Sequence, residues 1–407
     1  MNILFITLLD IRSIYERNIY SDLMREFVKY GNNIYIISPL ERRNKLQTIL
    51  VKDEKVNILK LKTGNIQKVN MIEKGISTFL LEHQVKRGVK KYFGDVKFDL
   101  VLYSTPPITL QAAVSYVKKR DKAVTYLMLK DIFPQNAVDM GILSKTGIKG
   151  IVYCYFRKKE KRLHMSSDHI GCMSEANVQY VREHNGFIVS DKIEICPNCI
   201  EPSINIDAPD EKEQKRLRDK YEIPQDKTIF VYGGNLGKPQ GIDFIINCMK
   251  AIEHLNHVFV LIIGSGTEYK KLQCAIKENN LKNTKVHKYM PKEEYDELLK
   301  LCQVGLIFLD HRFTIPNFPS RLLSYMDAEL PVFAVVDEVT DVGKIIERGD
   351  FGWSCQSKDV DKVVGMFDTI GKSMELESKG KNGKQYLCEH YNANIAYRTI
   401  VSHLVHM

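Results

Sequence analysis

Short apolar runs alternate along the chain with longer stretches in which apolar residues return every third or fourth position. Residues 2–8 form the first run, of strand length. Over 20–30, Leu23, Met24, Phe27 and Val28 mark one helical face, with Arg25, Glu26 and Lys29 between them, and Gly31 stops the pattern. Further strand-like runs lie at 34–39, 56–61, 100–104, 124–129 and 169–173, and Thr105-Pro106-Pro107 closes the run at 100–104. Near residue 200 the pattern restarts. A charged helix over 207–221 is ended by Glu222-Ile223-Pro224. Strands follow at 228–232, 258–263, 304–309 and 332–336, with helices such as 244–255 and 269–278 between them. Strand–helix alternation predicts parallel sheets covered by helices on both faces. The fold class is therefore α/β, with two doubly wound, Rossmann-like domains. Such sheets hold ligands at the carboxyl ends of their strands, and two of them facing each other would enclose a central cleft. The expected division is 1–200, 201–375 and a terminal segment 376–407, helical in pattern over 386–405.

Composition narrows the class. The chain of 407 residues is 44% hydrophobic and 27% charged, which excludes a disordered or collagen-like chain and a disulfide-stapled mini-protein. Mean hydropathy is −0.23, and no stretch reaches the roughly 20 apolar residues of a membrane span. The apolar start runs into Asp10-Ile11-Arg12 with no basic segment before it, so it reads as a buried strand and not as a signal peptide. The nine cysteines are scattered, as suits reduced thiols in the cytoplasm. Cys196-Pro197-Asn198-Cys199 has redox or zinc-ligand spacing, but no second ligand pair accompanies it.

The net charge of +9 is uneven. Residues 1–200 hold 32 Lys+Arg against 20 Asp+Glu, a net of +12, and the rest of the chain nets −3. A basic surface attracts phosphate-rich partners. One cluster is Lys86, Arg87, Lys90 and Lys91. Another, Arg157, Lys158, Lys159, Lys161 and Arg162, directly follows the apolar run 151–156. That juxtaposition suits either an anionic membrane surface or the solvated face of an amphipathic helix. No aromatic-interleaved groove pattern points to nucleic acid.

Two stretches carry chemistry. In 231–243, Gly233, Gly234 and Gly237 stand between a strand and the next helix. Glycines there admit a ligand close to the backbone, and free N–H groups at the helix start suit a phosphate; a tight packing turn is the other reading. In 316–332, Pro319-Ser320 suits a helix start that Ser320 caps. Arg321 is unhelpful there to the helix dipole but useful beside a diphosphate, where its planar fork donates two parallel hydrogen bonds.

Taken in order, Gly233-Gly234-Asn235-Leu236-Gly237, Gly264-Ser265-Gly266-Thr267-Glu268, Phe318-Pro319-Ser320 and Leu330-Pro331-Val332 resemble the family-4 retaining glycosyltransferases of GT-B fold across essentially the whole chain. Pro197-Asn198-Cys199-Ile200-Glu201 matches that family's linker loop. Ser104-Thr105-Pro106-Pro107, residues 131–137 and Gly237-Lys238-Pro239-Gln240-Gly241 are similar to the capsule and O-antigen branch, which includes fucosamine transferases. The resemblance implies transfer of a sugar from a nucleotide-diphosphate donor, UDP-linked, to a lipid-linked or growing oligosaccharide. It places the acceptor on the basic first half, facing the inner membrane surface, and a terminal helix crossing back to the first domain with a hinge near residue 200.

The same resemblance assigns roles. Lys238 and Arg321 balance the diphosphate charge. Gly233, Gly234, Asn235, Gln240, Gly266, Ser320, Ser324 and Asn198 line the donor side. Arg17 and Asn18 follow the first strand under the phosphates and acceptor, Asn18 taking a left-handed backbone position. Asp131 either engages an acceptor hydroxyl or caps the next helix; Asp341 reads as a helix cap in preference to a sugar contact, and Trp353 as core packing in preference to a sugar platform. Two family glutamates are replaced by Pro316 and Ser324, and a basic pair by Asn235 and Gln240. No Asp-x-Asp is read at a strand end, so no metal and no further cofactor is expected. Two alternatives stay open. One is a sugar-nucleotide epimerase of the same fold, for which the sequence assembles no paired acid–base groups. The other is a degenerate partner subunit of an active transferase.

Overall fold

The computed structural model describes residues 1–66, 71–204 and 209–404. Asp207, at the start of the expected charged helix, and Val405, at the end of the expected terminal helix, lie outside the described residues. The chain divides into two compact units, Met1–Glu201 with Asn392–Met407, and Pro202–Tyr391. The terminal segment is thus split: helix Leu376–His390 belongs to the second unit and helix Ala393–Ser402 to the first.

In the first unit, β1 (Asn2–Ile6), β2 (Asn33–Glu41), β3 (Ile49–Asp53), β4 (Val56–Thr63), β5 (Leu100–Ser104), β6 (Val124–Leu129), β7 (His169–Cys172) and β8 (Ile193–Ile195) form one sheet. The strand order is β3-β4-β2-β1-β5-β6-β7-β8, and only the edge pair β3–β4 is antiparallel. In the second unit, β9 (Thr228–Asn235), β10 (Val258–Ser265), β11 (Thr284–His287), β12 (Val304–Phe308), β13 (Val332–Val336) and β14 (Gly352–Gln356) form a parallel sheet ordered β11-β10-β9-β12-β13-β14. The chain order reverses between β1 and β5 in one sheet and between β9 and β12 in the other. Those reversals are the switch points where such sheets open a ligand crevice at their carboxyl edge.

Burial explains which strands form where. Every residue of β5, β6, β12 and β13 is buried, because helices cover both faces of a parallel sheet. The terminal helix Ala393–Ser402 joins the core of the first unit, where Tyr397 meets Phe27 edge-on at 4.9 Å and stacks on Tyr30 at 4.4 Å. Asn394 Nδ2 donates to Glu26 and to the Tyr30 hydroxyl, each at 2.9 Å. Trp353 on β14 is half-buried against the second core, in keeping with its expected packing role.

His164, in the last turn of helix Gly147–Ser166, is 1% exposed, and both ring nitrogens lack a hydrogen-bond partner. Burial pulls its pKa down to about 4. The unfolded ring takes a proton near pH 6.5, and the folded one resists it until far lower. Stability is therefore present above about pH 6.5 and declines as pH falls toward the folded value, by up to about 3 kcal/mol. His164→Leu removes both orphan nitrogens. The variant is expected to melt higher than the wild type, with a gain that widens between about pH 7 and about pH 5. Thermal melts across that range check it, and a gain that shrinks as pH falls would contradict it.

Candidate functional site at the switch point of the second sheet

The glycine pair does not open the turn. Gly233 and Gly234 continue β9 and pair with Ile263 and Gly264 of β10, and the chain turns only after Asn235. The two loops that follow β9 and β10 are pressed together. A Cβ on Gly264 would stand 2.0 Å from the Gly234 carbonyl oxygen, and one on Gly266 would stand 2.2 Å from that of Leu236. The Leu236 N–H donates to Ser265 O and the Glu268 N–H to Leu236 O, each at 3.0 Å. Gly266 therefore serves the close approach of two backbones.

Beyond the turn lies a single helical turn, Lys238–Gln240, and then helix Ile242–Ala251. Gln240 is buried, and its side-chain oxygen accepts from the Gly237 N–H at 3.1 Å and from Asn235 Nδ2 at 3.3 Å. It stitches the loop from beneath. Lys238 and Asn235 are exposed on the loop's outer side. Across the switch point, the Asp310 N–H, just past β12, donates to Pro239 O at 3.0 Å. The Asp310 carboxylate is held by Arg312 at 2.7 Å and lies below the usual carboxylate range; its burial opposes that shift but is outweighed by the Arg312 bonds.

Arg321 opens helix Arg321–Asp327. Ser320 occupies the preceding cap position but makes no capping hydrogen bond, contrary to the sequence expectation: its backbone is already helical, and capping geometry needs an extended residue. Ser324, one turn on, is half-exposed. The Arg321 guanidinium lies 4.1 Å from the centroid of the Tyr232 ring, and a Cβ on Gly234 would stand 3.3 Å from its Nη2. Tyr325, on the same helix face four residues later, accepts from the Gly233 N–H at 3.1 Å and donates to Leu306 O at 3.0 Å. Burial pushes the Tyr325 phenol up to about 12, so it is neutral. The Tyr295 hydroxyl, on helix Lys292–Leu299, reaches the space a Gly233 side chain would fill and has no hydrogen-bond partner. Arg321 Nη1 is likewise buried without a partner, and no carboxylate pairs with the guanidinium among the described residues. A cation held among neutral phenols and glycine backbone, with an unused donor, is suited to an anionic ligand at this crevice.

Sequence reasoning gave no role to Tyr232, Tyr295 or Tyr325. The readable signal was the placement of Tyr232 directly before Gly233 and of Tyr325 one helical turn after Arg321; nothing local marked Tyr295.

At the switch point of the first sheet, Asn18 is extended (φ −162°, ψ 165°) and not left-handed. Its side chain caps helix Ile19–Lys29 by accepting from the Tyr20 and Ser21 N–H groups, each at 3.0 Å. The capping bond requires an extended residue, which is why the sequence expectation fails there. Exposed Arg17 donates to the Glu201 carbonyl oxygen. Asp131, two residues beyond β6, is fixed through its backbone to the Thr105 hydroxyl, and its carboxylate accepts from Asn136 Nδ2 at 2.6 Å. The cap position of the next helix, Gln135–Asp139, belongs to Pro134, so Asp131 is not its cap residue. Asn198 is 8% exposed, with its side-chain oxygen buried and unpartnered. The first unit thus brings Arg17 and Asn18 to one strand end and Asp131 to another.

Cys196 and Cys199 are buried, and burial raises both thiols, Cys199 to about 12, which leaves neither poised as a thiolate. Asp341 sits at the cap position of helix Val342–Arg348 without a capping side-chain bond. Contrary to the sequence reading, an Asp-x-Asp triplet, Asp359-Val360-Asp361, does follow a strand, because the edge strand β14 carries no unbroken apolar run to mark it. Asp359 caps helix Val360–Gly371 by accepting from the Lys362 N–H at 3.0 Å. No group of three or more His, Cys, Asp or Glu side chains is arranged for a metal among the described residues.

Residues 213–385 match the family described as "Glycosyl transferases group 1", a span that contains the whole switch-point site. The chain is 24% identical over 303 residues to a probable glycosyltransferase, WbjE, of Pseudomonas aeruginosa, covering 73% of this chain and 72% of that protein. It is 24% identical over 134 residues, 32% of each chain, to a putative colanic acid biosynthesis glycosyl transferase, WcaI, of Escherichia coli K12. Among solved structures it resembles Anabaena Alr3699/HepE, determined in complex with UDP and glucose, with a TM-score of 0.70, 12% identity and full coverage of both chains.

Proposed function

We propose that this chain, of GT-B fold and with residues 213–385 matching the group 1 glycosyltransferases, is a metal-independent retaining glycosyltransferase. It moves a sugar from a UDP-linked donor to a lipid-linked or growing oligosaccharide in surface-polysaccharide synthesis. The observation that carries this reading is the Arg321 guanidinium, set beside the Gly233-Gly234 backbone with a buried donor unused and no carboxylate partner. A diphosphate supplies the charge and the acceptor oxygens that this group lacks. The UDP bound by HepE and the polysaccharide role in the name of WcaI support the choice of donor and pathway.

In the proposed reaction the bond between the sugar C1 and the diphosphate oxygen breaks, and the electron pair leaves with the diphosphate. Arg321 and the exposed Lys238 offset the charge that develops on it. The acceptor hydroxyl oxygen bonds to C1 on the face the diphosphate leaves, and its proton passes to the departing diphosphate. Asp131, fixed by Thr105 and Asn136, holds the acceptor hydroxyl. Arg17 and Asn198 serve as further polar ligands.

The test is sugar transfer from a panel of UDP-sugars to a lipid-diphosphate-linked sugar, with the anomeric configuration of the product read by NMR. The expected product keeps the donor's configuration, at a rate that EDTA changes by less than about twofold. Inversion would overturn the retaining assignment. Nucleotide binding with no transfer from any UDP-sugar would favour the partner-subunit alternative.

A further inference from the structure

We propose that the outward faces of helices Met71–Tyr92 and Gly147–Ser166 together form a docking surface for an anionic bilayer. This rests on the reading above only in that a lipid-linked acceptor would be reached from such a surface. On the first helix, Leu81, Val85 and Val89 are buried in the core, while Ile76, Phe79 and Leu80 on the other side are 58%, 55% and 46% exposed. On the second helix, Ile148 and Ile151 are 85% and 72% exposed, and Val152 and Tyr155 are each 41% exposed. Gly150 is the one buried position between Gly147 and Tyr155, so the first two turns stand clear of the unit's core. Single exposed apolar residues are ordinary. Two outward stripes at helical spacing are not.

Charge identifies the occupant. Both helices are apolar toward their N-termini and basic toward their C-termini. Arg87, Lys90 and Lys91 are exposed on the first, and Lys158, Lys161 and Arg162 on the second, with Lys149 among the second helix's apolar positions. The acidic side chains of these helices are engaged: Glu160 with Arg157 at 2.5 Å, Glu73 with Arg42 at 3.3 Å, and Glu82 with Lys159 at 3.3 Å. The last of these pairs joins the two helices directly. Helix Gln111–Asp121 packs against both, which puts them on one side of the sheet. A second copy of the chain would bring these cations against each other. A bilayer carrying anionic headgroups takes the apolar side chains at its interfacial depth and pairs the cations with lipid phosphate. Among the described residues no helix is long and apolar enough to cross a membrane, so the contact is with the surface.

The test is co-flotation of the full chain with vesicles of phosphatidylcholine alone or with about 30% phosphatidylglycerol. Binding is expected only with phosphatidylglycerol, with release in high salt. Ile151→Glu with Phe79→Glu, and separately Lys158→Glu with Arg162→Glu, are each expected to weaken it at least about tenfold. Both double variants are expected to keep the wild-type melting temperature and the wild-type stabilisation by UDP. Equal binding to both vesicle types, wild-type binding by either double variant, or a solution dimer that Ile151→Glu dissociates would overturn the proposal. Loss of nucleotide stabilisation in the wild type would instead count against the donor reading and leave the flotation result standing.

Discussion

Arg321→Ala is expected to lower the rate of sugar transfer by about 10²–10³-fold, the usual cost of removing one pre-placed donor to a developing anion. The loss is expected mainly in kcat, because in the proposed reaction charge accumulates on the diphosphate as the C1–O bond breaks. The fold is not at risk: the guanidinium makes no ion pair, and Tyr325, not Arg321, holds the Gly233 N–H. Arg321→Lys keeps the charge but loses the planar fork that stacks on Tyr232 and donates two parallel bonds. It is expected to fall between the two, about tenfold below the wild type. Steady-state kinetics of both variants check this. Wild-type kcat in Arg321→Ala would remove the guanidinium from the mechanism.

Gly266→Ala is expected to destabilise the second unit by about 3 kcal/mol through overpacking. A new Cβ would lie 2.2, 2.4 and 2.8 Å from the O, C and N atoms of Leu236. These are backbone atoms tied to Ser265 and Glu268 by hydrogen bonds, so the overlap is relieved only by pulling the two loops apart. The melting temperature is expected to drop by about 6–12 °C, and UDP stabilisation to weaken with it. Gly365→Ala is the matched control. That glycine lies in helix Val360–Gly371 with nothing within 4 Å of a new Cβ, so the change is expected to stabilise by about 0.5–1 kcal/mol. Equal melting temperatures for the two variants would contradict the backbone-contact account.

The central strands were legible because burial on both faces writes them as unbroken apolar runs, as in Leu100–Ser104 and Val332–Val336. The edge strands β3, β8, β11 and β14 were not. They are short, with part of each strand reaching solvent, so they carry no such run. The loop between Gly233 and Gly241 and the helix start at Arg321 were legible as local patterns, and the switch point between β9 and β12 explains why two segments about 80 residues apart meet. The side-chain roles inside that loop were less so. Gln240 looked like a ligand group but turns inward to bind Gly237, since a buried amide oxygen satisfies the turn better than water would. Tyr295 became visible only when the fold brought its helix beneath Gly233. Asn18 is ambiguous in sequence because an asparagine suits both a left-handed turn and a helix cap, and only the backbone decides between them.

The proposed activity requires the switch point of the second sheet, with Arg321 at its centre, to bind a nucleoside diphosphate without a metal. The most direct measurement is the melting temperature of the wild type and of Arg321→Ala with UDP, in EDTA and in magnesium. A ligand that binds only the folded state stabilises it by about 2.7 kcal/mol at a hundred times its Kd. The expected result is a rise in the wild type that is the same in EDTA and magnesium, and little or none in Arg321→Ala. A rise that requires magnesium, or one that survives intact in Arg321→Ala, would contradict it.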